Sequence, residues 1–347
     1  MSVSSNLNSS LKPEHFNLGP MTVPRLWVGL WQLSSNAWGS APVSKIREAM
    51  VRHADKGYTA FGTSDHYGSA ELVFGHFRRN TALAHSIVGA TKWCVFKQVE
   101  ANRSVVESAV RERIERMQTD HIDLLQFHWQ DYSDKGYLTA LETLQDLQSD
   151  GLITTIGLCN FDAIRTDEIC TQLGPGVIVS NQVQFSLIDT RPLHGMADVC
   201  ERHGLKLLTY GTLCGGFLAD KWVEKPVPDP YSGKLTPSQR KYLDMILKAW
   251  GTWELFQGLL KTLRVIGDRH GGLSIANIAT RWVLDHQFVG AVIVGTRLGI
   301  SEHLDENYKV YGFHLTAEDN ADIEAVLDRS NGRKIITTIG DCGAEYR

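Results

Sequence analysis

Short apolar, β-prone runs alternate with amphipathic stretches along most of the chain. The run at 26–29 is followed by VSKIREAMVRHADKG, in which Ile46, Met50 and Ala54 share one helical face and Gly57 ends the pattern. A second strand is expected at 58–61 with a helix starting near Ser69, and a third at 86–91 with a helix over 102–118. That helix carries the stripe Val106, Val110, Ile114 and Met117. The same grammar gives strand 122–127 with helix 137–149, strand 153–158 with helix 162–173, and strand 177–183 with helix 192–203. Strand seven is expected at 205–210. Strand eight, at 289–294, is preceded by a helix over 274–286 and followed by a short one at 302–308. Residues 17–25 read as a small hairpin punctuated by Gly-Pro, and 315–330 as a closing helix with a Thr cap.

The strands are mostly non-alternating, the pattern of strands buried on both faces in a parallel sheet. Eight strand–helix units close an α/β fold of the (β/α)8 TIM barrel type, expected here as a single domain. The barrel should occupy about 25–310, with 1–16 as a lead-in, 220–272 as an insertion after strand seven and 331–347 as a tail. The insertion either covers the site mouth or decorates the rim. An open doubly wound sheet is the alternative, but no GxGxxG follows the first strand. In a barrel of this type the site lies at the C-terminal strand ends. Tyr67, Lys92, His128, Asn160 and Tyr210 all fall there.

Composition narrows the partners. A net charge of −4 and the lack of a Lys/Arg run argue against nucleic acid or an anionic membrane. No apolar run is long enough to span a bilayer, and the Ser/Asn-rich start MSVSSNLNSSLKPEHF has no signal-type apolar core. Six scattered cysteines, with no CxxC pair and no zinc-type spacing to His, fit reduced thiols in the cytoplasm and no metal.

The segments VGLWQL, HYGSAE, TKW, DLLQFHW, GLCNF, NQVQFSLI, TYGTLCGGFL, RWVLD and VGTR…HLDEN occur in an order that resembles the aldo-keto reductase superfamily, over roughly residues 17 to 330. The resemblance implies NADP(H)-dependent reduction of a small-molecule aldehyde or ketone. Tyr67 would be the general acid, Lys92 would lower its pKa, and His128 would donate to the substrate oxygen. The family's carboxylate at the end of strand two is replaced by Gly62, with Asp65 as a candidate substitute from the loop. Leu30 stands where many relatives carry a ribose-contacting Thr.

By the same resemblance Asn160 and Gln182 would hold the nicotinamide carboxamide, with Cys159 in place of the usual Ser. Tyr210 would stack on the ring, and Gly211, Leu213 and Gly215 would approach the pyrophosphate. Gly29 and Gly295 flank the cofactor, and Thr296, Arg297, Ser301, His303, Glu306 and Asn307 match the adenosine and 2′-phosphate site. His303 stands where many relatives carry Arg. Arg281 reads as a structural ion pair. Trp31, Trp93 and Trp129 follow strand ends and suit a bulky or aromatic carbonyl. A monomer or small homo-oligomer is expected. The Gly62 departure keeps two other functions open: an NADP(H)-binding regulatory or redox-sensing protein, and a redox-neutral dehydratase or isomerase.

Overall fold

In the computed structural model, residues 11–347 are described, so the first ten residues of the expected lead-in lie outside that range. The chain opens with an antiparallel hairpin, β1 (His15–Leu18) and β2 (Met21–Pro24), so the end of the lead-in is already strand. Then come β3 (Leu26–Gly29), α1 (Val43–Asp55), β4 (Ala60–Gly62), α2 (Ala70–Asn80), β5 (Val88–Val95) and α3 (Arg103–Arg116). The series continues with β6 (Ile122–Trp129), α4 (Gly136–Ser149), β7 (Ile153–Cys159), α5 (Ala163–Leu173), β8 (Ile178–Gln184), α6 (Met196–His203) and β9 (Lys206–Tyr210). Strands β3 to β9 and β10 (Val289–Gly295) form a closed parallel barrel in chain order, β10 pairing with both β9 and β3. This is the expected (β/α)8 barrel.

Strands β5 and β6 run past their expected ends, to Val95 and Trp129, so Lys92 and His128 sit within strands rather than at their last residues. The helix expected at 192–203 is shorter. Pro192 lies in a separate turn, and Gly195 at φ 107° starts α6 afresh.

The insertion divides into two parts. Helix α7 (Pro237–Asp244) begins with a capping box between Thr236 and Gln239 and with Pro at its first position, and it lies at the strand-end mouth. Helix α8 (Trp253–Arg269) buries Phe256, Leu259, Leu260 and Leu263, and it packs on α9 (Ile275–Leu284) and α11 (Ala317–Leu327). One half therefore covers the mouth and the other thickens the outer wall. Between β10 and α11 lies the short α10 (Leu304–Tyr308). The expected tail is ordered: α12 (Ile335–Ile339) buries Ile335, and the chain then returns to the mouth, burying Cys342.

The far end of the barrel is closed by the hairpin. Leu18 and Val23 join Trp27, Ala60, Ala90, Leu124, Leu208, Ala291 and Ile293 in a core inside the barrel. Arg25 donates to the carbonyls of Leu284 at 2.7 Å, Val289 at 2.9 Å and Gly290 at 3.1 Å, tying the hairpin to the last unit. Arg281, fully buried, pairs with Glu14 at 2.7 Å and Asp285 at 2.9 Å, the structural role expected of it. Among the described residues no helix is long and apolar enough to cross a membrane.

The Phe16 ring fills the space beside Gly290, where an added Cβ would lie 2.4 Å from it. Gly290→Ala is therefore expected to cost about 1–3 kcal/mol of stability by overpacking. In a Phe16→Ala background the same change should cost much less, the non-additivity of direct contact. Equal costs in urea unfolding of both backgrounds would show that Phe16 does not set this packing.

Candidate active site

β4 ends at Gly62, and the loop that follows carries Tyr67. Two arginines on one face of α3 hold that loop. Asp65 Oδ2 accepts from Arg113 at 2.7 Å and from the Cys94 amide at 2.8 Å. Glu71, fully buried, accepts from Arg116 Nε at 2.6 Å and from the Thr91 hydroxyl, while Arg116 Nη2 donates to the Gly68 carbonyl at 2.7 Å. Asp65 is thus committed to Arg113 and does not stand in for the missing strand-two carboxylate.

Lys92 is 3 % exposed, and among the described residues it has no carboxylate partner. Its Nζ donates to the Thr63 carbonyl at 2.8 Å, lies 3.5 Å from the Tyr67 hydroxyl and sits 4.9 Å from the centre of the Tyr67 ring. Burial pushes the Tyr67 pKa up to about 12, outweighing the nearby ammonium, so the lowered value expected from sequence is not what the geometry gives. Burial also opposes the Lys92 ammonium, but Tyr67, Cys159 and Cys94 around it leave its pKa raised.

His128, 2 % exposed, places Nδ1 3.0 Å from the Cys159 carbonyl. A carbonyl only accepts, so Nδ1 carries the hydrogen, and Nε2 of the neutral ring is a lone pair. Nε2 is buried and, among the described residues, has no partner. Burial depresses the pKa of His128, which keeps the ring neutral at pH 7. The expected donation to a substrate oxygen is replaced by an acceptor.

At the next strand ends, Asn160 adopts left-handed backbone (φ 61°), a conformation Asn tolerates and that concentrates at functional sites. Its Oδ1 accepts from the Tyr210 hydroxyl at 2.9 Å. Gln182 pairs in register with Cys159, and its Oε1 is buried without a partner. These residues surround one mouth.

Gly211, at φ 74°, has the Tyr242 hydroxyl of α7 where a Cβ would go, at 2.2 Å. Gly215 is closed over by the Ser238 backbone, and Leu213 is half-buried against the core. Gly211 and Gly215 make room for α7, a reason for them that lies in packing. On the other side, register pairs Gly295 with Gly29 and Gly29 with Gly62. The Gly29 carbonyl accepts from the Thr296 hydroxyl at 3.1 Å, and Arg297 Nε donates to Ser301 Oγ at 3.1 Å from an exposed position. His303 is exposed, and the Asn307 amide donates to its carbonyl at 2.8 Å. The Glu306 carboxylate is taken by Asn277 at 3.0 Å and Lys309 at 2.7 Å.

Trp93 and Trp129 are not brought to the mouth. Side chains alternate along a strand, so Lys92 and His128 facing inward turn their successors outward, into the layer shared with Val106, Val110, Tyr137 and Phe161. Trp31 does stay at the rim, edge-on to Trp38 at 4.7 Å. Phe96, 46 % exposed, lies 5.4 Å from the His128 ring.

The chain's last residues, read from sequence only as a tail, complete the mouth. The Tyr346 hydroxyl lies 3.2 Å from that of Tyr210 and accepts from Lys241 of α7 at 2.7 Å. Arg347 donates to the Asn160 carbonyl and the Tyr132 hydroxyl, both at 3.1 Å. Glu345 pairs with Arg191 at 2.8 Å, and Arg191, buried, also pairs with Asp189 at 2.8 Å. The available signals were the glycines at 340 and 343 and the apolar Ile335-Ile336, neither of which names a partner. An open concavity of about 880 Å³ lies at the opposite end of the barrel beside Arg79, His85 and His121, away from the grouped polar residues.

The model of the aldo/keto reductase family matches residues 25–328. The chain is 26 % identical over 322 residues to the aldo-keto reductase YhdN of Bacillus subtilis (strain 168), covering 88 % of this chain and 90 % of that protein. Among solved structures, the glycerol dehydrogenase AKR11B4 from Gluconobacter oxydans superposes with a TM-score of 0.73 at 22 % identity, over 92 % of this chain and 95 % of that one. An aldo/keto reductase from Klebsiella pneumoniae in complex with NADP and acetate gives 0.69 at 19 % identity, over 91 % and 96 %.

Burial lowers the pKa of His53, His128 and His286 below the ordinary 6.5, so all three are neutral in the fold. Below that value the unfolded chain takes up protons that the fold resists, so their stability contribution is present above pH 6.5 and lost as pH falls. Tm is expected to drop between about pH 7.5 and about pH 5.5, and His53→Gln should shrink the drop. A Tm drop of the same size in His53→Gln would count against this origin. Glu345→Ala should free the hook formed by residues 340–347 alone, raising amide exchange there while the barrel strands stay protected. Unchanged exchange there would show that the Arg191 pair does not anchor it.

Proposed function

The chain belongs to the aldo/keto reductase family, and from that premise we propose that it reduces an aldehyde or ketone to the alcohol with NADPH. One observation carries the reading: a buried Lys92 ammonium 3.5 Å from the Tyr67 hydroxyl, in a mouth where His128 Nε2 and Gln182 Oε1 have no partner.

Bound in this mouth, NADPH would supply the hydride for the carbonyl carbon. Tyr67 gives its proton to the carbonyl oxygen. With its pKa pushed up to about 12 it stays protonated through the neutral range, and Lys92 stabilises the phenolate left behind. His128 Nε2, an acceptor, suits holding the product hydroxyl. Gln182 Oε1 fits the N–H of a nicotinamide carboxamide, Asn160 borders the same space, and the Tyr210 ring offers a stacking face. Arg297 and Ser301 suit a 2′-phosphate, which favours NADP(H), the cofactor of the Klebsiella neighbour. The rim aromatics Trp31, Phe96, Tyr132 and Tyr346 suit a bulky or aromatic substrate.

Gly62 favours a second reading, an NADP(H)-binding regulatory protein with little turnover. Without the strand-two carboxylate, the Lys92 ammonium leans on a backbone carbonyl.

NADPH oxidation with a reactive aromatic aldehyde separates the two, run on the parent chain, Tyr67→Phe and Gly62→Asp. Tyr67→Phe is expected to lose about 10²-fold or more in kcat, the worth of a general acid, with NADPH affinity nearly intact. A Cβ at Gly62 meets no non-neighbouring atom nearer than 3.9 Å, so the Asp variant should fold and turn over faster. Equal rates for the parent and the Phe variant would remove Tyr67 as the acid. NADPH binding with turnover only in Gly62→Asp would favour the regulatory reading.

A further inference from the structure

We propose that Asp65, His66 and Cys94 form a binding site for one thiophilic divalent cation of the zinc class at the rim of the catalytic mouth. A carboxylate oxygen of Asp65, a ring nitrogen of His66 and Cys94 Sγ all lie within 4.8 Å of one another. Oδ1 and Nδ1 are 3.2 Å apart. The Ser64 hydroxyl sits among them, 2.9 Å from Oδ1, 2.8 Å from Nδ1 and 3.7 Å from Sγ. The three donors therefore already converge on one point.

Their chemistry selects the ion. A thiolate, an imidazole and a carboxylate make a mixed S, N, O set, which suits zinc and its neighbours rather than magnesium or calcium. Ligand atoms held about 2.0–2.3 Å from a tetrahedral ion stand roughly 3.3–3.8 Å apart, and the 3.2 Å between Asp65 Oδ1 and His66 Nδ1 is close to that. The Ser64 hydroxyl or a water completes the fourth position. The outer contacts are in place as well. Arg113 and the Cys94 amide hold Asp65 by Oδ2, leaving Oδ1 turned to the cluster. The His66 side chain is 43 % exposed, so an ion enters from solvent.

Sequence spacing hid this site because Asp65 and His66 come from the loop after β4 and Cys94 from β5, which parallel pairing of these two strands sets side by side. The site binds a metal independently of the proposed reductase function, while its effect on turnover rests on that function. An ion here would tie the loop carrying Tyr67 to the strand carrying Lys92. The His66 ring packs edge-on against Tyr67 at 4.8 Å and Phe96 at 5.3 Å, so drawing it onto an ion resets the surroundings of the acid. Reversible inhibition is the expected consequence.

Cobalt(II) is the probe. Added to the full chain, it should give the visible bands of a four-coordinate ion and a thiolate charge-transfer band in the near ultraviolet, saturating at one ion per chain. Cys94→Ser should abolish the charge-transfer band, and His66→Asn, at a partly exposed side chain, should weaken binding at least about 10-fold. Absence of the charge-transfer band in the parent at millimolar cobalt overturns the site whatever the variants do. So does its persistence in a folded Cys94→Ser. Zinc should lower NADPH oxidation and EDTA restore it, and unchanged turnover at a filled site overturns the inhibitory role. If no carbonyl is turned over at all, the cobalt spectrum still decides the metal site.

Discussion

A buried ammonium without a counter-ion governs this mouth. Removing a charge from water is costly unless hydrogen bonds or an opposite charge compensate. Among the described residues Lys92 donates only to the Thr63 carbonyl and the Tyr67 hydroxyl, both on one loop. That loop must therefore be held still, and the structure does so with charges placed further out. Arg113 and Arg116 reach from α3 to Asp65 and Glu71, on either side of Tyr67. Tyr67, Lys92 and the two arginine braces form one connected unit. The vacancy at Gly62 makes the loop matter more, because no carboxylate at the strand end shares the work.

The barrel's two ends are treated differently. The hairpin seals the far end with apolar side chains and the backbone bonds of Arg25. The end bearing the strand C-termini is closed by polar and charged contacts: Lys241 to Tyr346, Arg191 to Glu345, Arg347 to Asn160. Arg191 is buried, but the Lys241 and Arg347 contacts lie at a partly wet rim, where each is weak and exchanges readily with water. An apolar seal suits permanence, and a polar one suits a mouth that a ligand must enter.

Much of this was legible in the sequence, for identifiable reasons. Eight buried strand runs separated by helical stripes point to a closed parallel barrel, and chain order fixes which strands are neighbours. Lys92, His128 and Asn160 could be placed because strand ends share one face of the barrel. Trp93 and Trp129 were misplaced although the needed rule was at hand: inward-facing Lys92 and His128 require outward-facing successors. The commitments of Asp65 were not legible, since Arg113 lies on a helix beyond the next strand and only packing brings it back. The same holds for the hook, whose anchor Arg191 belongs to the loop after β8. Nor could composition show that burial would lift the Tyr67 pKa above its free value rather than let lysine lower it.

The hook has a practical side. Arg347 lies 3.1 Å from both the Asn160 carbonyl and the Tyr132 hydroxyl. Any polypeptide continued past that residue would emerge at the entrance to the barrel. A fluorophore or affinity handle fixed at the carboxyl end would thus share the approach route of small molecules, as obstacle or as reporter. One fixed near the hairpin would sit at the opposite pole of the molecule and leave that route clear.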